Sequence, residues 1–191
     1  MLPKTPHIGT KLKIGFLTIG QSPRVDITGD LPKSLGCLEV VEAGALDDLS
    51  AEQIELLKPK QGETVYVSRL RDGSRVLLAK ERLVPLLQEK IKLLHRGGVD
   101  VIVLVCSGEF DLEAEGTIVF PSRILRDAVK CLVKRKGKLG ILVPEETQIQ
   151  DAVNEWSELA EVRVLSLSPY VDSLGSLQAS AKALRAYPKS L

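Results

Sequence analysis

The sequence is poor in the residues that build disulfide scaffolds and metal centres. Its 191 residues include three cysteines and two histidines. An odd and low number of cysteines excludes a disulfide-bonded scaffold, and neither the cysteines nor His7 and His95 have the spacing of metal ligands. Two histidines also make poor candidates for a Ser-His-Asp triad, and no glycine-rich nucleotide motif occurs. We therefore predict neither a metal ion nor a cofactor.

Long apolar runs and an excess of one charge are absent as well. No stretch of 18 apolar residues occurs, so the sequence predicts no transmembrane helix, and residues 1–13 hold no apolar signal segment. The 26 lysines and arginines nearly cancel the 25 aspartates and glutamates, which argues against a dedicated nucleic-acid binder. These absences predict a cytoplasmic protein that binds neither nucleic acid nor membrane.

The sequence does contain a regular alternation of strand and helix patterns. Amphipathic helical segments separate short apolar runs that are typical of buried strands. The apolar runs cover residues 12–20, 38–43, 99–106, 138–143 and 162–167. This order predicts an α/β fold with a largely parallel sheet. Asp72-Gly73 between two β-rich runs predicts an inserted β-hairpin at about 64–79.

An internal echo predicts two similar parallel-sheet α/β halves. The pattern Lys-x-Gly-x-Leu begins at both Lys13 and Lys138, and a second short match follows each at nearly the same offset. Chance is the alternative explanation, because this pattern is common in first strands. We predict a first domain over 12–136 and a second, shortened domain over 137–191. A shortened sheet would leave an apolar edge exposed, so we also expect a homo-oligomer.

Polar residues follow the first predicted strand, at the sheet edge where parallel α/β proteins bind ligands. Gly20 permits close backbone approach, and Ser22-Pro23 is typical of a capped helix start whose N–H groups suit an anion. Arg24 can grip a carboxylate or phosphate on two atoms, and Gln21 lies beside it. The alternative is a plain capped turn with a solvated Arg24. The functional interpretation predicts a small anionic ligand here.

A cysteine ends the clearest buried strand. Cys106 is followed by Ser107, Gly108 and Glu109. The free N–H groups of Ser107 and Gly108, together with the charge of Arg24, are expected to favour the thiolate. Cys106 is therefore a candidate acid, base or nucleophile, and the alternative is a thiol buried as a small apolar group. Cys37 and Cys131 are interpreted as structural. The arginines of the hairpin, Arg69 to Arg75, suggest a lid or a subunit contact, unless they only face water.

Five segments carry a resemblance to a known family. They are Thr18-Ile19-Gly20-Gln21-Ser22-Pro23-Arg24, Glu42-Ala43-Gly44-Ala45-Leu46-Asp47, Ser68-Arg69-Leu70-Arg71-Asp72-Gly73, Val105-Cys106-Ser107-Gly108-Glu109-Phe110, and Val143-Pro144 with Glu146. With these segments the sequence resembles the AroM family, which has no firmly assigned reaction. That family is similar in turn to the aspartate/glutamate racemase superfamily, in which two α/β domains each offer a cysteine at a strand end.

The resemblance implies roles for the two polar segments. Cys106 matches the first superfamily cysteine and is implied as an acid or base, while Gly20 to Pro23 match the loop that holds the substrate carboxylate. These matches favour an isomerase or lyase acting on a small carboxylate. Two-cysteine racemisation is doubtful, because the second half carries no cysteine. A non-catalytic binding or regulatory protein is the alternative, so whether the chain is an enzyme stays open.

Overall fold

A computed structural model describes residues 11–29, 38–133, 137–169 and 174–186. The described elements, in chain order, are β1 (Leu12–Thr18), α1 (Val25–Thr28), β2 (Leu38–Gly44), α2 (Ala51–Glu55), β3 (Val65–Arg69), β4 (Arg75–Ala79), α3 (Lys80–Arg96), β5 (Val101–Leu104), β6 (Thr117–Val119), α4 (Pro121–Leu132), β7 (Lys138–Val143), α5 (Ile149–Trp156), β8 (Glu161–Ser166) and α6 (Leu174–Arg185). A 3-10 turn over Glu146–Gln148 precedes α5. No described helix is long and apolar enough to cross a membrane.

The first sheet has four parallel strands in the order β2-β1-β5-β6. Its centre is β1, where Leu17 is fully buried and lies in register with Ala43 on one side and Leu104 on the other. One face is covered by α3, which buries Leu83, Leu87 and Ile91 along one stripe. The predicted α/β class is confirmed. The short strand β6 was not predicted, because three residues are too few to show a period of two.

The predicted hairpin is also confirmed, and it stands apart from the parallel sheet. β3 and β4 pair antiparallel as a separate two-stranded sheet, with Ser68 opposite Val76. Gly73 closes the turn at a φ of +88°, which glycine adopts without steric cost. The hairpin follows β2 and α2 in the chain, so it interrupts the strand–helix alternation where the sequence predicted.

A second parallel sheet is formed by β7 and β8, in register from Lys138 opposite Glu161 to Val143 opposite Ser166. α5 packs against it, and the small core there includes Val143, Ala152 and Val164. The predicted domain boundary falls within 134–137, mostly outside the described residues. The two-domain division and the shortened second half therefore stay predictions.

The segment after β1 differs from the predicted capped helix. α1 begins at Val25 and has four residues, and its N-cap Arg24 makes no side-chain cap hydrogen bond. The hydroxyl of Ser22 donates to Asp47 instead, and the carboxylate of Glu42 accepts the N–H of Arg24 at 2.7 Å. The predicted helix start at Ser22-Pro23 is wrong. The carboxylates of Glu42 and Asp47, near the end of β2, accept the hydrogen bonds of Arg24 and Ser22, so Ser22 does not cap a helix.

Candidate functional site

A cleft lies where the carboxyl ends of β5 and β7 face each other. Its volume is about 420 Å³. The first half contributes the segment 106–109, the hairpin strand β3, Lys80 and Leu125, and the second half contributes residues 141–144 and one side of α5. Ligands of parallel α/β proteins bind beyond the carboxyl ends of strands, so the cleft has the expected position for a site.

Cys106 lies in the wall of this cleft, two residues beyond the end of β5. The backbone N–H of Gly108 donates to Sγ at 3.3 Å, as the sequence predicted. Burial nevertheless raises the pKa of the thiol to about 11, although this N–H and the charge of Arg24 act in the opposite direction. The predicted thiolate is therefore wrong: loss of water outweighs one hydrogen bond and one cation, and the thiol is protonated at neutral pH.

Tyr66, on β3, packs over the same segment. A Cβ built on Gly108 would lie 2.3 Å from the Tyr66 ring, so only glycine lets the ring approach this closely. The ring also contacts Phe110, with 5.0 Å between ring centroids, and the phenol donates to the carbonyl of Glu109 at 3.1 Å. Burial, with the nearby Cys106, raises the pKa of Tyr66 above its usual value. Tyr66 is not among the residues predicted from the sequence, because nothing in the chain near residue 66 marks a contact with residue 108.

The opposite wall of the cleft carries Glu155 and Trp156, both on α5. Burial raises the pKa of Glu155, and the charge of Glu109 raises it further. Arg126 acts in the opposite direction, since its guanidinium lies 3.5 Å from the Glu155 carboxylate. Sequence reasoning missed Glu155, because an acidic residue on an amphipathic helix resembles any solvated charge.

Gln21 and Ser22 lie outside the described lining of this cleft and hold neighbouring loops together. The Asp47 carboxylate accepts both the N–H and the hydroxyl of Ser22 at 2.7 Å, and it lies 3.2 Å from Arg71. Gln21 donates to the carbonyl of Leu46 and accepts the N–H of Arg71. These side chains therefore fix the loop after β1 against the loop after β2 and the hairpin turn.

Gly20 and Arg24 belong to the same network. A Cβ on Gly20 would lie 2.4 Å from both the carbonyl of Arg69 and the hydroxyl of Ser68, so the hairpin needs glycine here. Arg24 is only 7% exposed, which excludes the alternative of a solvated side chain. Its guanidinium donates to both carboxylate oxygens of Asp26 at 2.8 Å and lowers the pKa of that carboxyl.

Among the predicted site residues, the structure thus brings together Cys106, Ser107, Gly108 and Glu109 in the cleft. It places Gly20, Gln21, Ser22 and Arg24 in the adjacent network. From there the charge of Arg24 opposes, but does not outweigh, the rise in the pKa of Cys106 that burial causes. The two segments are neighbours because β1 and β5 are adjacent parallel strands. Ligand binding by either segment stays a prediction.

The hairpin joins the two halves beside the cleft. Arg71 donates to the carbonyl of Ser22 at 2.8 Å, within the first half. Arg75 bonds the carboxylate of Glu145, in the second half, and Gln148 donates to the carbonyl of Val65 at 2.9 Å. Arg71 and Arg75 therefore do more than face water, and they connect β3 and β4 to segments on both sides of the cleft.

A larger hollow of about 620 Å³ lies between the hairpin and α2. Of the predicted site residues, only Gln21 is among its described lining residues. The lining also includes the charged side chains of Lys58 and Arg71 and the apolar side chains of Ile54 and Leu70. It lies away from the carboxyl ends of β5 and β7. The smaller cleft with Cys106 is therefore the better candidate site.

The other cysteines do not join this cleft. Cys131 is exposed on α4, so its interpretation as a packed structural residue is wrong. The helical period of the sequence identified which residues form the apolar side of α4. It could not show that this side is exposed: the exposed fractions of Ile124, Leu125 and Leu132 are 60%, 50% and 81%. Cys37 and His7 lie outside the described residues.

Comparison with known proteins gives one assignment. Neither a curated protein nor a solved structure matches the chain. The family model described as AroM protein matches residues 14–191, which include all five segments that carried the resemblance and the whole described lining of the cleft. The chain belongs to the AroM family.

Proposed function

We propose that the cleft binds a small carboxylate and that Cys106 transfers a proton at its α-carbon, so that the protein is an isomerase or lyase. The observation that carries this proposal is the Cys106 thiol in the wall of a cavity of about 420 Å³ between two parallel sheets. The proposal also draws on the similarity of the AroM family to the aspartate/glutamate racemase superfamily. Lys80, which lines the same cavity, offers a positive charge to the carboxylate.

The raised pKa of Cys106 favours a role as proton donor. A base such as water takes the α-proton, or carbon dioxide leaves, and the electron pair that remains on the α-carbon is delocalised into the remaining carboxylate. The S–H bond of Cys106 then breaks, its proton forms the new C–H bond, and the sulfur keeps the electron pair as a thiolate. The buried charge of Arg24 stabilises that thiolate, since it already lowers the pKa of Cys106. Arg24 thus acts on Cys106 and leaves direct contact with the ligand to the cleft residues.

The experiment measures binding and α-proton exchange together. The protein is incubated in D₂O with L- and D-aspartate, L- and D-glutamate and malate, and NMR follows ligand binding and the loss of each α-proton signal. We expect exchange with at least one of these probes, and we expect Cys106→Ala to abolish it. Cys131→Ser is the matched control, because this exposed thiol lies outside the cleft. Undiminished exchange in Cys106→Ala would overturn the role of Cys106.

A second candidate function is binding without turnover. The observation that favours it is the raised pKa of Cys106, together with a single cysteine among the described lining residues. Such a protein would keep the cleft as a sensor of a small molecule. The same NMR experiment separates the two functions, because the sensor binds a probe without exchange and still binds it after Cys106→Ala.

A further inference from the structure

Proton transfer at an α-carbon from two faces needs a second group across the cleft from Cys106. In the described lining, the second half presents two carboxylates, Asp151 and Glu155, both on α5. Asp151 is exposed to solvent, whereas the Glu155 side chain is 37% exposed and stands beside Trp156. Glu155 is therefore the carboxylate that a ligand in the cleft would screen from water.

The surroundings of Glu155 tie it to the groups of the first half. Burial contributes most to the raised pKa of Tyr66, and the charge of Glu155 raises it as well, so this carboxylate lies near a phenol of the first half. Cys106 belongs to the part of the cleft wall that the first half contributes, and Glu155 belongs to the part that α5 contributes. A ligand in this cleft would have Cys106 and Glu155 on different sides of it.

Arg126 holds the position of Glu155. Its guanidinium, on α4, lies 3.5 Å from Glu155 and 3.6 Å from Glu158. The Glu158 side chain is 78% exposed and lies outside the described lining of the cleft. One arginine thus contacts two glutamates in similar geometry, of which only Glu155 faces the cavity.

We propose that Glu155 is the second proton-transfer group of the cleft and acts on the face of the ligand opposite Cys106. This inference rests on the proposed function and names a residue for it. The carboxylate takes the α-proton and becomes a carboxylic acid, while the electron pair of the broken C–H bond moves into the ligand carboxylate. Cys106 then donates its own proton to the other face and becomes a thiolate. Water restores both groups, so the configuration inverts without net oxidation or loss of atoms.

Burial and the neighbouring Glu109 suit Glu155 to this work. Both raise its pKa, and a carboxylate with a higher pKa is a stronger base near neutral pH. Arg126 acts in the opposite direction and limits the rise of this pKa. The cleft, with one cysteine among its described lining residues, thereby gains a second proton-transfer group on α5.

The test compares Glu155→Gln with Glu158→Gln, because both variants remove a carboxylate from Arg126 but only the first changes the cleft. With the D₂O probes named above, we expect Glu155→Gln to lower α-proton exchange at least about a hundredfold, the usual scale of general-base catalysis, while the probe still binds. Glu158→Gln should exchange normally. Glu155→Asp, which keeps a carboxylate, should restore part of the exchange and show that the loss in Glu155→Gln is not a folding defect.

The outcomes separate this inference from the proposed function. Normal exchange in Glu155→Gln with none in Cys106→Ala overturns the role of Glu155 and leaves that of Cys106 intact. Equal losses in Glu155→Gln and Glu158→Gln also overturn it, because they assign the effect to Arg126. Probe binding without exchange in the unmodified protein overturns it in favour of the sensor, and the absence of binding by every probe overturns both proposals.

Discussion

The Cys106 thiol keeps its proton because its surroundings exclude water. A single N–H, from Gly108, reaches the sulfur, and the positive charge of Arg24 is shared with the Asp26 carboxylate at 2.8 Å. Both interactions favour the thiolate, but burial opposes it more strongly. At the scale of single residues, Cys106 is therefore suited to donate a proton and poorly suited to react as a nucleophile at neutral pH.

This state predicts slow alkylation of Cys106. Raising the pKa from 9.0 to about 11 leaves the thiol protonated at pH 8, with about a hundredfold less thiolate than an ordinary cysteine. The alkylation rate should keep rising with pH up to about 11, because deprotonation supplies the reactive form. Iodoacetamide labelling of the folded protein, followed by mass spectrometry of each cysteine peptide, measures this rate directly.

The exposed Cys131 is the internal control of that experiment and should be labelled first at pH 8. Arg24→Gln should slow the labelling of Cys106 further, because it removes the charge that favours the thiolate. Labelling of Cys106 at neutral pH as fast as that of Cys131 would contradict the buried, protonated thiol.

At the scale of elements, the hairpin of β3 and β4 contacts segments of both halves that lie beside the cleft. Its strand β3 lines the cleft, its turn contacts the loop after β1 through Arg71, and Arg75 reaches the segment after β7. These contacts involve half-exposed side chains, so each contributes little to the free energy of unfolding. Their importance lies in geometry, since they connect the two halves on either side of Cys106.

We therefore expect Arg75→Ala to loosen the second half while leaving the fold intact. Amide hydrogen exchange should increase over residues 145–148, where the contacts of Arg75 and Gln148 are made. The free energy of unfolding should fall by less than about 1 kcal/mol, the usual range for an exposed ion pair.

Arg82→Ala is the matched control, since Arg82 pairs with Glu63 inside the first half. Its effect on exchange should stay near residues 58–63. Unchanged exchange over residues 145–148 in Arg75→Ala would show that the hairpin does not connect the halves.

At the scale of the whole molecule, the apolar side of α4 has no cover among the described residues. Ile124, Leu125 and Leu132 lie on it with exposed fractions of 60%, 50% and 81%. Burying a side chain of this kind fully is worth about 1.5–3 kcal/mol, so a partner surface would stabilise the protein. The homo-oligomer predicted from the sequence stays a prediction, and α4 is the surface we propose for it.

We expect sedimentation velocity at about 20 μM, well above the nanomolar dissociation constants of many specific complexes, to give a dimer. Leu132→Asp should convert it to a monomer, because the new charge would be buried in the interface. A monomer in the unmodified protein at this concentration would contradict the prediction, and Leu56→Asp, at an exposed position near α2, is the control substitution.

The sequence by itself determined the order of strands and helices, apart from the short strand β6 and the start of α1. Continuous apolar runs predicted β1, β5 and β7, because strands buried on both faces leave no polar alternation. Asp72-Gly73 predicted the hairpin turn, since few sequences accept a positive φ. The position of Cys106 at a strand end, and hence at the ligand-binding edge of a parallel sheet, followed from the same local rules.

Only the tertiary structure decided the ionisation state of Cys106 and which side chains surround it and the loop after β1. Tyr66, Glu155 and Cys106 line one cleft although they come from segments far apart in the chain, and no local pattern encodes that arrangement. The polar loop after β1 turned toward Asp47 and Glu42, because β2 carries these carboxylates to its side, and so it formed neither a capped helix nor a solvated turn. The pKa of a thiol depends on how much water and charge the folded chain leaves around it, and that is a property of packing in space.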